Sequence, residues 1–213
     1  MTTVSEFLSG VWADAHALTG WEALAVALAV AYLLLAMRQS QWCWACAALS
    51  TLIFTGLFWH VSLLMESLLN LFYLVMAAYG YWQWRSGGEN GNGVALVRWS
   101  WRRHAVVISA TAGLALLMGY LMDTHTHADL AYLDAMTTCF AVVTTFMVVR
   151  KVVENWLYWI VINSASIYLY LSKGLALSSG LYLLYVVLAW IGYQQWRQQF
   201  RLQPCPSLAK RSA

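Results

Sequence analysis

The chain has 213 residues, of which 62% are hydrophobic and only 10% charged, with a formal net charge of +3 and a mean hydropathy of +0.61. Soluble globular chains average about 25% charged residues, so the composition excludes an ordinary cytosolic enzyme, a disordered chain and a disulfide-stapled secreted domain. It predicts an all-α integral membrane protein, for which seven spans of about 20 residues would use roughly 140 residues and leave little outside the bilayer.

Residues 1–20 lack the basic start of a cleavable signal and carry Glu6 and Asp14, so they are expected to form an extracytoplasmic segment. Apolar runs then follow at 21–37, 42–59, 63–84, 105–122, 130–149, 156–171 and 181–196. No alternating barrel pattern is present, and in lipid only internally hydrogen-bonded segments survive, so the runs are read as seven transmembrane helices. Tryptophans such as Trp21, Trp42, Trp84 and Trp196 stand at span ends, where interfacial aromatics belong. Cys43 and Cys46 lie within an apolar run and read as small buried residues, not as a redox or metal motif.

Charge placement sets the expected orientation. The loops after spans 1, 3 and 5 and the C-terminal segment hold Arg38, Arg85, Arg98, Arg102, Arg103, Arg150, Lys151, Arg197, Arg201, Lys210 and Arg211, all but one of the 12 basic residues. Lys173 alone falls on the other side, with Glu6, Asp14, Asp123 and Asp129. The positive-inside rule then places the N-terminus outside and the C-terminus in the cytoplasm. Basic residues distributed in this way serve topology and give no reason to expect nucleic-acid binding.

A shift of 112 residues aligns the chain with itself without a gap. Arg38 falls on Arg150, Trp44 on Trp156, Ser67 on Ser179 and Tyr73 on Tyr185. Tyr79-Gly80-Tyr81-Trp82-Gln83-Trp84 falls on Ile191-Gly192-Tyr193-Gln194-Gln195-Trp196. Spans 1–3 thus match spans 5–7, and span 4 is left as a linker. Three spans reverse direction and a fourth restores it, so the repeats would run parallel about an axis along the membrane normal, with a substrate site between them near mid-membrane. The expected organisation is an N-terminal segment (1–20), a first three-helix repeat (21–85), a cytoplasmic loop and linker helix (86–129), a second repeat (130–200) and a cytoplasmic tail (201–213).

Polar residues inside the spans are the candidate ligand groups. Glu66 lies about one turn into span 3, with Asn70 four residues on and Ser67 and Tyr73 flanking that face. In span 6, Trp156, Trp159, Asn163, Ser166 and Tyr170 form one stripe, a ring-stacking platform beside an amide that both donates and accepts. Helix packing would use the same residue types, and the threonines of span 5 suit packing better than binding. The Asp123, His125, His127, Asp129 run reads as a solvated loop, so no metal is expected, and no cofactor either. The chain lacks an ATP-binding P-loop, the H-E-x-x-H and G-x-S-x-G motifs, and a span 7 lysine to hold retinal. These absences favour a transporter without its own chemistry over a receptor or an intramembrane enzyme.

Glu154-Asn155-Trp156-Leu157-Tyr158-Trp159-Ile160-Val161-Ile162-Asn163 and Tyr79-Gly80-Tyr81-Trp82-Gln83-Trp84 resemble the sixth-helix and third-helix motifs of the Pnu vitamin transporters. The resemblance extends over about residues 20–200. It implies a seven-helix 3+1+3 fold, like a full-length counterpart of the SWEET sugar transporters, and a homotrimer. It also implies facilitated diffusion of an unphosphorylated vitamin, trapped afterwards by a cytoplasmic kinase. By the same resemblance Trp159 and Asn163 match ligand-holding residues of the nicotinamide riboside branch, while Asn70 stands where that branch usually has Gln, and Glu66 where a small or hydroxyl residue is expected. The run Trp59-His60-Val61-Ser62-Leu63-Leu64-Met65-Glu66-Ser67 looks more like the thiamine branch. Thiamine is therefore the favoured substrate, its cation matched by a carboxylate in a low-dielectric cavity. Nicotinamide riboside is the alternative and riboflavin a further one.

Overall fold

The computed structural model describes residues 20–60, 64–88, 91–125, 130–172 and 175–203, without the side chains of 56–60 and 64–68. The N-terminal segment, all but Gly20, therefore lies outside the described residues, as do His127, Asp129 and Lys173. Seven helices follow in order: α1 (Gly20–Met37), α2 (Trp42–His60), α3 (Leu64–Ser86), α4 (Trp101–His125), α5 (Ala131–Val149), α6 (Asn155–Ser172) and α7 (Ala176–Leu202). Each covers one apolar run and differs from it mainly at the ends. Helix α4 already begins at Trp101, and α7 reaches from Ala176 to Leu202. Hydropathy marks only the stretch that lipid would solvate, whereas backbone hydrogen bonding continues through Arg102, Arg103, Arg197 and Arg201.

Four of the seven, α1, α4, α5 and α7, are long and apolar enough to cross a membrane by length and composition alone. Helix α6 is diluted by Asn155, Asn163, Ser164 and Ser166, and α3 by Glu66, Asn70, Gln83 and Arg85. These are the helices on which the sequence concentrates candidate ligand groups. Chain neighbours pack together within α1–α3 and along α4–α7, and two further contacts close the bundle, α3 with α5 and α1 with α7. Helix α4 packs against α5 and turns Val106, Leu114, Leu117 and Tyr120 outward.

Many local contacts recur 112 residues later. After α1, Gln39 adopts φ 55° and its N–H donates to Ala36 O, while Ser40 N–H donates to Leu35 O. After α5, Lys151 adopts φ 50° and donates to Val148 O, while Val152 N–H donates to Met147 O. This is the Schellman pattern that satisfies the last carbonyls of a helix, built twice on a non-glycine left-handed residue. Gly80 and Gly192 each admit a tryptophan from the neighbouring helix, since a Cβ at either would overlap Trp44 or Trp156 respectively. Both glycines are thus close-contact points.

The core is an indole cluster at the end of the bundle that carries these basic corners. Trp44 meets Trp84 edge to face at 5.3 Å and 84°, and Trp156 meets Trp196 at 5.4 Å and 89°. Trp84 and Trp196 join the two pairs at 6.1 Å. Trp84 Nε1 donates to Val149 O at 3.1 Å, and Trp196 Nε1 donates to Ala36 O and Met37 O at 3.1 and 3.2 Å. The first bond therefore ties α3 to α5, and the other two tie α7 to α1.

A strap from the α3–α4 loop covers this end. Gly93 starts it with φ 83°, where a Cβ would overlap the Trp84 carbonyl oxygen, so only glycine fits. Leu96 is buried in the cluster, and Val97 pairs in parallel with Val152 through Val97 N–H to Lys151 O and Val153 N–H to Val97 O. Arg98 Nε donates to Glu154 Oε1 at 2.7 Å, which raises the Arg98 pKa above its ordinary value. Lys151 is buried with its Nζ 4.7 Å from the Trp84 ring centre, and loss of solvent lowers its pKa.

Candidate binding cavity

The helices border a partly open cavity of about 160 Å³ beside the indole cluster. From α1 it is lined by Ala29 and Tyr32, and from α2 by Trp44, Ala47, Ser50 and Thr51. Helix α3 adds Tyr73 and Ala77, α5 adds Thr145, and α6 adds Trp159. The lining is aromatic, methyl and hydroxyl, with no charged side chain among these residues. Such a wall accepts a flat ring by stacking and fixes its edge through a few oxygens. Ligand pockets commonly occupy about 300–1,000 Å³, so the cavity in this arrangement is smaller than a usual ligand site. A larger open groove of about 570 Å³ runs along the outer side of α7 past Trp190, Gln194, Arg197 and Arg201, away from the α6 stripe.

The eight sequence candidates divide. Trp159 and Tyr73 line the cavity. Asn163 and Ser166 are buried on the same α6 stripe, one and two turns beyond Trp159, and do not form its wall. Asn70 is half-buried one turn before Tyr73 on α3. Trp156 is 1% exposed, set against Gly192 and Trp196, and so belongs to the indole cluster. Tyr170 stacks on Tyr182 of α7 at 5.1 Å and 18°. Glu66 falls within α3, but its side chain and that of Ser67 lie outside the described residues.

Sequence reasoning missed most of the wall. Tyr32, Ala47, Ser50 and Thr51 carry no signal as single residues in an apolar run, and Trp44 registered only as a mark of the repeat. The repeat itself held the clue, because residues equivalent to the α6 stripe lie on α2. Thr145 lines the cavity, yet its hydroxyl, like that of Thr144, donates to the carbonyl four residues back on its own helix.

A family model described as nicotinamide mononucleotide transporter matches residues 19–198. The chain belongs to the Pnu family of vitamin transporters. The riboflavin/roseoflavin transporter RibM of Streptomyces davaonensis is 26% identical over 179 residues, covering 83% of this chain and 84% of that protein. The nicotinamide riboside transporter PnuC of Escherichia coli is 23% identical over 173 residues, covering 68% and 71%. The crystal structure of the vitamin B3 transporter PnuC superposes with a TM-score of 0.70 at 19% identity, over 96% of this chain and 95% of that one. This Pnu chain is therefore an all-α, multi-pass membrane protein, and the family's activity is transport.

Proposed function

We propose that this protein takes up an unphosphorylated, water-soluble vitamin across the inner membrane by facilitated diffusion, with thiamine as the substrate. The observation that carries the uptake reading is the cavity lined by Trp159 and Tyr73, in a chain whose family transports vitamins. The ring stacks on Trp159, Asn163 and Asn70 meet its polar edge as the halves open, and Glu66 lies near its positive charge. Thiamine is supported by the departures at Glu66 and Asn70. Nicotinamide riboside is the second reading, supported by the PnuC relative and by the Trp159 and Asn163 match.

In this proposal α1–α3 and α5–α7 are two parallel repeats in a 3+1+3, SWEET-like arrangement, with α4 as linker. They rock about the cavity to expose it to either side in turn. The Arg-rich end faces the cytoplasm and the N-terminus lies outside. A cytoplasmic vitamin kinase then traps the product, and the working unit is a homotrimer. The test is transport into proteoliposomes without any ion gradient, with labelled thiamine and labelled nicotinamide riboside in parallel. Thiamine is expected to equilibrate, and Trp159→Ala to abolish this while the purified protein keeps its oligomeric size. Riboside movement without thiamine movement overturns the substrate, and a requirement for a proton or sodium gradient overturns passive diffusion.

A further inference from the structure

The cavity is unequally shared between the halves. Eight of its ten lining residues come from α1–α3, and only Thr145 and Trp159 come from α5 and α6. The 112-residue register, followed by the corner hydrogen bonds, the glycine–tryptophan contacts and the cross-half indole bonds, shows how the inequality arises. In that register Ala47 is the counterpart of Trp159, Ser50 of Ile162 and Thr51 of Asn163. Where α6 carries an indole, an isobutyl-sized chain and an amide, α2 carries a methyl and two hydroxyls. An indole at 47 would occupy a space of this size, so the void exists because the first half is small where the second is large.

The hydroxyls add a chemical preference. Ser50 Oγ donates its proton to Ala25 O at 2.8 Å, and Thr145 Oγ1 donates to Ala141 O at 2.8 Å. Those oxygens can offer a ligand only their lone pairs. The groups they suit are N–H donors at the edge of a flat ring, such as an exocyclic amino or carboxamide group.

We propose that Ala47 and Thr51 are specificity-determining residues, an assignment that rests on the vitamin-uptake reading. Ala47 leaves the slot in which the ring lies against Trp159. Thr51 lines the cavity next to Ser50, and its hydroxyl joins the Ser50 and Thr145 lone pairs at the ring's polar edge. Bulk at 47 closes the slot, and loss of the hydroxyl at 51 leaves a polar group of the ring edge without its partner.

The test is calorimetric binding of thiamine, nicotinamide riboside and riboflavin to the purified full chain. Ala47→Val should weaken the vitamin that the wild type binds, and Ala47→Phe should weaken it by about ten-fold or more. Leu49→Phe, on the exposed side of the same helix, should leave affinity unchanged. Thr51→Val should cost about ten-fold and Thr51→Ser little. Thermal midpoint and elution volume report folding, and if Ala47→Phe does not fold, Ala47→Val and Thr51→Val decide. Unchanged affinity in those two variants, with a wild type that binds, overturns the assignment and leaves the uptake reading standing. A wild type that binds none of the three overturns the uptake reading and this assignment with it.

Discussion

Trp156 and Trp159 share one face of α6, but their surroundings differ. Trp156 is fully packed, its ring set against Gly192 and edge-on to Trp196, whereas Trp159 is half-buried with one side toward the cavity. Truncating a packed indole removes transfer free energy and leaves a hole, a loss of about 3–5 kcal/mol. Trp156→Ala is therefore expected to lower the thermal midpoint by many degrees, while Trp159→Ala lowers it little and removes binding. Thermal melts and calorimetry on the same preparations check the split, and equal destabilisation by both would return Trp159 to the packing cluster. Asn155 shows how a motif residue can serve structure. It is fully buried, and its Nδ2 donates to Val152 O at 2.6 Å across the α5–α6 corner. The sequence showed the stripe on α6 because a spacing of three and four is a helical spacing. It could not apportion the stripe, because the neighbour that buries Trp156 lies on α7.

At the scale of elements, the helices follow from hydropathy, and the corners between them do not. Glycine is the usual residue in the left-handed position of a Schellman turn, yet here Gln39 and Lys151 occupy it. Lys151 is also buried over Trp84. Burial depresses its pKa below the ordinary 10.5, chiefly by loss of solvent. Below the folded-state pKa the lysine is charged in both states and its burial cost is fully present. As pH rises through that value, the folded protein releases a proton that the unfolded chain still holds, so stability rises, and above both values the cost is gone. Lys151→Gln, which copies Gln39, lacks this dependence. The stability of Lys151→Gln relative to wild type should therefore fall as pH is raised toward lysine's ordinary range, read from thermal midpoints in a pH series. A difference constant with pH would show that Lys151 is solvated. The strap's Arg98–Glu154 pair adds little stability, because the Arg98 side chain is 51% exposed and solvent screens it. Leu96, buried over the indoles, holds the strap down more effectively.

For the whole molecule, α1–α3 and α5–α7, the two halves of the proposal, meet at the basic end through equivalent bonds, Trp84 to Val149 O and Trp196 to Ala36 O and Met37 O. If the halves rock, opening this end breaks both. Trp84→Phe and Trp196→Phe each keep an aromatic ring and remove one indole N–H donor, whose hydrogen bonding contributes about 0.5–1.5 kcal/mol net. Each is expected to shift the population toward states open at this end, and the double variant further. Cys43, a free thiol fully buried beside Trp44, is the reporter. With the other cysteines replaced, its maleimide labelling should accelerate in each single variant and most in the double. Unchanged labelling in all three would mean that this end does not open through these bonds.

The sequence by itself determined the number and order of the helices, the class of protein and the internal register, since apolar length, charge placement and helical spacing are properties of a chain read along its length. It also marked Trp159 and Tyr73, because a large ring among polar neighbours in a span is conspicuous in one dimension. Only the tertiary structure decided which side chains meet around a void, that Trp156 fills space while Trp159 borders it, and that Ala47, Ser50 and Thr51 of α2 line that void. A cavity is defined by what opposing helices leave unfilled, and an alanine or serine in an apolar run carries no mark of what stands across from it.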